Sequence, residues 1–203
     1  MNGWLRRIPI WAVWLAGLIP LALLVVDTLA GRLGVEPVRD IEHRLGRTAL
    51  YFLIASLAVS PLLLLAGVNL VRFRRVLGLL CFTYAALHML AWVSMDMAFL
   101  WNQMGRDLVK RPYLFIGMVS FTMLLALALT STDGAIRRMG AGAWRKLHRL
   151  IYLAAPLAAL HWVWSLKSFP VRPLAWLLVI LAILALRFVR RPPSRDRQSK
   201  ILK

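Results

Sequence analysis

Four histidines carry most of the chemistry this sequence could perform: His43, His88, His148 and His161. His88 follows Arg75, and His161 follows Arg149, by little more than three helical turns, and each lies within a long uncharged stretch. At a rise of about 1.5 Å per residue, both imidazoles stand roughly 18–20 Å beyond the nearest inner charge. An ionisable side chain that deep in an apolar segment is costly and points to function. Two neutral imidazoles at one level suit a single iron porphyrin held from both sides. No C-x-x-C-H occurs, so such a haem would be non-covalent and b-type. The plain alternative is that each histidine is a core residue hydrogen-bonded to a backbone carbonyl. His148 lies about 20 Å nearer the inner surface than His161 along the same helix, and Pro156 between them is expected to kink or unwind it. On spacing alone His148 is either a second haem ligand or part of the basic headgroup-level cluster around Trp144–Arg149.

Other reaction types find little support. There is no Gly-rich phosphate loop, no nucleophile elbow and no pair of carboxylates at helical spacing. The single cysteine, Cys81, excludes an internal disulfide, a cysteine-only zinc site and an iron–sulfur cluster. It shares a helical face with His88, where packing explains it. His43 is expected in an outer loop, solvated or facing a partner. Asp27 and Asp96, near outer helix ends, are expected to snorkel or to pair with an outer arginine. Tyr84 and Trp92 flank His88, and Trp162 and Trp164 flank His161; they pack either on a macrocycle or within an ordinary bundle.

The elements that must position these residues follow from composition. The chain has 203 residues, 61% hydrophobic, with 26 Lys+Arg against 8 Asp+Glu and a net charge of +18. Its mean hydropathy is +0.70. Soluble domains are about 45–50% apolar, so this chain has too much apolar surface to hide from water. The positive charge falls in short clusters between uncharged runs, which argues for a membrane and against a nucleic-acid-binding face. The expectation is an all-α, polytopic membrane protein, a six-transmembrane-helix bundle spanning about 8–30, 48–71, 76–100, 112–132, 149–167 and 171–189. These form one domain over 1–190, followed by a basic cytoplasmic tail, 191–203. The last span is the shortest and relies on Arg172 and Arg187 snorkelling to the headgroups. Basic residues favour the segments around Arg72–Arg75, Arg137–Arg149 and the tail, which places both termini in the cytoplasm. Arg6-Arg7 before an apolar run also has the look of a secretory signal, but the run is long for one, and it is read as the first span.

Several stretches carry a resemblance: Glu36 to Leu50 (EPVRDIEHRLGRTAL), Arg74 to Leu79 (RRVLGL), Leu87-His88, Arg111 to Leu114 (RPYL), Leu127 to Thr132 (LALTST) and His161 to Lys167 (HWVWSLK). Together they resemble the MsrQ (YedZ) family over essentially the whole chain, in order and spacing. That family comprises the haem-binding membrane subunits of a bacterial methionine sulfoxide reductase system. The resemblance implies a ferric-reductase-like six-helix domain of the inner membrane that binds haem b and FMN. It implies electrons taken from the quinone pool or a cytoplasmic flavin reductase and passed to an MsrP-like periplasmic molybdoenzyme, which repairs methionine sulfoxide in envelope proteins. The chain would then be an electron-transfer subunit, not the catalytic one. The family's haem histidines fall on His88, His148 and His161. NADPH oxidases of similar architecture carry a second histidine on the third helix, where this chain has Arg74. One haem on His88 and His161 is therefore better founded than a second on His148. Outer arginines such as Arg47, Arg106 and Arg111 are expected near haem propionates, and the outer segments 31–47 and 101–111 as the docking surface. The rival readings are a quinol-linked cytochrome of the b561 kind without an MsrP-like partner, and a small transporter or scaffold with structural histidines.

Overall fold

The computed structural model describes residues 5, 7–166 and 171–186. Prolines set the start of three helices. Pro9 precedes α1 (Ile10–Leu29), and Pro37 and Pro112 open α2 (Pro37–Ala66) and α5 (Pro112–Leu129), where a missing N–H leaves no bond unmade. Gly67 ends α2 with a left-handed φ of 67°. A 3-10 turn at Val71–Phe73 leads into α3 (Arg74–Ala91), which runs on through a π-helical turn at Trp92–Asp96. α4 (Trp101–Lys110) precedes α5, and α6 (Asp133–Leu147) follows it, capped by the Thr132 hydroxyl, which accepts from the Ala135 N–H at 3.1 Å. A 3-10 turn, His148–Leu150, then joins α7 (Ile151–Ser165), and α8 (Val171–Leu186) completes the described chain.

Four stretches are long and apolar enough to cross a membrane: Ile10–Leu29, Pro37–Ala66, Val71–Asp96 and Pro112–Leu129. The chain is thus an all-α, polytopic membrane protein. The remaining two of the six expected spans correspond to α7, with 15 residues, and α8, with 16, which fall short of that length. α7 is shortened because its first turn is wound as 3-10 at His148–Leu150. The flanks of α8, including the end of the sixth expected span and the tail 191–203, lie outside the described residues.

Three local expectations need correction. Residues 37–47 are not a loop but the first turns of α2. Asp40 lies in the first turn, and Arg44 pairs with it at 2.9 Å and with Asp27 of α1 at 2.7 Å. Residues 101–110 are likewise helical, as the amphipathic α4, which buries Met104 and Asp107. Pro156 does not unwind its helix: α7 runs through it, and the irregular turn is the one at His148–Leu150.

Small residues bring the central helices close. Ala154, Ala155 and Ala159 of α7 are fully buried, and Ser120 of α5 donates to the Ala154 carbonyl at 2.8 Å. Leu50, Leu53 and Leu57 of α2, Cys81 of α3, Leu124 of α5 and Ile180 of α8 close this core. α1 is peripheral, held by the Asp27–Arg44 pair, by Leu24 packed against α2 and α3, and by Tyr84. The Tyr84 hydroxyl donates to the Gly17 carbonyl at 2.7 Å and accepts from the Leu21 N–H at 3.0 Å, inserting into the α1 hydrogen-bond ladder beside Pro20. Tyr84 therefore serves bundle packing, not a cofactor face.

Candidate functional site

Two of the four histidines meet. His88 of α3 and His161 of α7 face one cavity of about 220 Å³, with ring centroids 6.3 Å apart and ring planes 69° from parallel. Each ring is held in the same way. His88 Nδ1 lies 2.9 Å from the Glu42 carbonyl on α2, and His161 Nδ1 lies 2.7 Å from the Tyr113 carbonyl on α5. A carbonyl only accepts, so this assigns the proton to Nδ1 and leaves the Nε2 lone pair free on both rings. An Nδ1–H bonded to a backbone carbonyl is the usual way of orienting a metal-binding imidazole. The two readings of the sequence, core histidine or ligand, are therefore compatible: one nitrogen satisfies the core and the other is available.

A glycine seats each ring, four residues after the carbonyl it bonds. A Cβ at Gly46 would stand 3.4 Å from His88 Nδ1, and a Cβ at Gly117 would stand 2.6 Å from His161 Nδ1. Only glycine lets the second ring lie so close to its helix. Gly46 and Gly117 were not singled out from sequence, although a glycine inside an apolar span costs about 1 kcal/mol of helix propensity and so invites a reason.

The cavity has an apolar floor, formed by Leu53, Cys81 and Leu124, and a polar rim of Glu42, His43, Arg47, Asp96 and Arg111. His43 is thus not a loop residue but stands on α2 at this rim. Asp27 pairs with Arg44 at 2.7 Å and Arg32 at 3.3 Å, as expected of it. Asp96 makes no ion pair among the described residues. Trp92 and Trp162 line the cavity, whereas Trp164 is exposed.

His148 is not brought to the pair. Its ring stacks on Trp144 with centroids 4.0 Å apart, and its Nε2 lies 3.2 Å from Thr130 Oγ1. That hydroxyl already donates to the Ala126 carbonyl at 2.7 Å, so it accepts from His148. Burial and the nearby Arg74 guanidinium hold His148 below the ordinary histidine pKa, favouring the neutral ring.

Two imidazoles from separate helices, each with Nδ1 at a backbone carbonyl, thus face one cavity between α3 and α7 of a helical membrane protein. At 6.3 Å between ring centres, two metal–nitrogen bonds of about 2 Å each could be accommodated between the rings. Comparison with known proteins agrees with the class: the family "Ferric reductase like transmembrane component" matches residues 45–159. Among curated relatives, a protein of Caulobacter vibrioides named "Protein-methionine-sulfoxide reductase heme-binding subunit MsrQ" is 43% identical over 176 residues, covering 86% of this chain and 84% of its own. Proteins of the same name from Brucella ovis and Brucella canis are each 39% identical over 189 residues, covering 93% of this chain and 85% of theirs. The chain belongs to the MsrQ family.

Proposed function

We propose that this protein is the haem b electron-transfer subunit of an inner-membrane methionine sulfoxide reductase system, in which the Nε2 atoms of His88 and His161 would hold the haem iron. The observation that carries this is the paired seat: two imidazoles 6.3 Å apart, each oriented by a carbonyl and a glycine of a neighbouring helix. When bound, a haem supplies one-electron chemistry across the low-dielectric core. The chain's own residues do the rest. The Glu42 and Tyr113 carbonyls fix the ring tautomers, the apolar floor keeps water out, and Arg47 and Arg111 at the rim suit anionic propionates. Arg106 does not line this cavity. A bare metal ion would call for three or four protein ligands, whereas among the described residues no group of three or more converges here.

α7 and α8 are read as the fifth and sixth spans, because α7 carries His161 against α5 in the core and α8 packs on both α7 and α2. Both termini then face the cytoplasm, as the basic clusters suggest. The outer rim and α4 face the periplasm, where an MsrP-like molybdoenzyme would collect electrons. FMN as a further cofactor, and the quinone pool or a cytoplasmic flavin reductase as donor, complete the reading by family resemblance. His148 is carried as ligand of a second haem on the inner side, which requires it to exchange its bond to Thr130 or to use Nδ1.

Absorption spectroscopy of the purified chain tests the core of this. A low-spin Soret band is expected, and His88→Ala or His161→Ala should each abolish it; a spectrum that survives both refutes the assignment. His148→Ala should lower haem content per chain and leave the band from the His88/His161 centre intact. Unchanged content would remove His148 from the ligand set.

A further inference from the structure

Thioethers gather where α3 ends. Met97 and Met104 are buried against Trp92, with Met89 and Met118 packed beside them. Trp92, Met89 and Met118 also line the histidine cavity, so this sulfur-rich pocket forms one wall of the site. Among the described residues two methionines are exposed instead: Met95, at 48%, and Met139, at 37%. They stand at opposite ends of the bundle. Met95 is the penultimate residue of the Val71–Asp96 stretch, next to Asp96 on the cavity rim, whereas Met139 lies on the basic α6. The backbone around Met95 is irregular. It sits in the π-helical turn Trp92–Asp96, and just beyond it Ala98 and Phe99 hold left-handed φ angles of 44° and 60°.

The geometry points to Met95 as a modification site, oxidised at the outer surface and restored by the same reductase that collects electrons at this rim. The inference rests on the proposed electron-transfer function, which supplies both the reductase and the outward orientation of the rim. A thioether that meets water is open to two-electron oxidants. With a peroxide, the Met95 sulfur attacks one oxygen; an S–O bond forms, the O–O bond breaks and water leaves. Reduction reverses this: two electrons and two protons arrive, the S–O bond breaks and water is released. The rim brings substrate and enzyme together, because a reductase docked beside Asp96 and Arg111 stands next to position 95. The buried sulfurs give prompt repair its value. A sulfoxide at Met97 or Met104 would set a polar oxygen without a partner against Trp92 and loosen the cavity wall. Met95, the exposed member of this end, reacts before them.

The test oxidises the purified full-length chain in detergent with hydrogen peroxide and maps its sulfoxides by mass spectrometry. Met95 and Met139 are expected to gain oxygen before Met97 and Met104. A purified MsrP-like molybdoenzyme is then added, with reduced methyl viologen as its electron source. Met95 sulfoxide should be reduced at least tenfold faster than Met139 sulfoxide, which matches it in exposure but lies at the other end. In a proteolytic digest of the same oxidised chain the two should be reduced alike. Equal rates on the intact chain, a preference that survives digestion, or repair of Met95 only after digestion would each overturn the site. Oxidation that reaches Met97 before Met95 would do the same. Viologen supplies electrons without help from the chain. A chain repaired at Met95 that passes no electrons to the reductase would therefore overturn the electron-transfer function and leave Met95 standing as substrate.

Discussion

At the scale of single residues, the histidine pair depends on two glycines, and they are not equivalent. A methyl group at position 117 would lie 2.6 Å from the His161 Nδ1, inside any allowed contact, and the obstacle is a ring already tied to the Tyr113 carbonyl. At position 46 the same methyl would stand 3.4 Å from His88, a tight but ordinary contact. Overpacking a well-filled site costs about 1–3 kcal/mol, and here the strain falls on the ring that must keep its orientation. Gly117→Ala is therefore expected to lose most of the low-spin haem, and Gly46→Ala to retain most of it. Haem content per chain and the Soret maximum read both, and equal losses would show that the seats are not built as described. The histidines were legible in the sequence because an imidazole deep in an apolar run is conspicuous. The glycines were not, because a glycine in a membrane helix serves ordinary close packing just as well, and only the ring lying against it tells the two apart.

At the scale of helices, apolar runs located the four stretches long enough to cross a membrane but not where the helices begin. Residues 37–47 carry Arg39, Asp40, Glu42, Arg44 and Arg47, and a rule that forbids charge in a span cuts them off. Several of these charges are instead paired along the helix and across to α1: Arg44 with Asp40 and Asp27, and Arg39 with Glu36. Without those turns Glu42 could not present its carbonyl to His88. Part of the attachment of α1 was equally hidden, for it includes the Tyr84 hydroxyl inserted beside Pro20. Tyr84→Phe removes both hydrogen bonds and leaves the Gly17 carbonyl and Leu21 N–H of α1 facing an apolar ring. Leaving such groups unsatisfied costs about 1–3 kcal/mol. The expected result is a melting temperature lowered by several degrees in detergent, with the haem spectrum retained because Tyr84 does not line the histidine cavity. Loss of the spectrum at low temperature would instead tie α1 to the haem seat.

At the scale of the whole molecule, the direction of electron flow depends on which face of the bundle carries the cavity rim. Glu42, Asp96 and Arg111 stand at one end of the bundle. Arg75, which pairs with Asp133 at 2.7 Å, stands at the other with α6 and its Arg137, Arg138, Arg145 and Lys146. Positive charge is retained on the cytoplasmic side, so the α6 end should be inside and the rim outside. The single cysteine makes this directly testable, because Cys81 is buried and can be replaced by alanine as a background. In intact cells, a cysteine placed at Asn102 on α4 should react with a membrane-impermeant maleimide, whereas one placed at Met139 on α6 should react only after lysis. The reverse pattern would turn the rim toward the cytoplasm. Electrons leaving a haem held at the proposed His88–His161 site would then emerge on the wrong side for a periplasmic acceptor, and a partner in the cytoplasm would have to be sought.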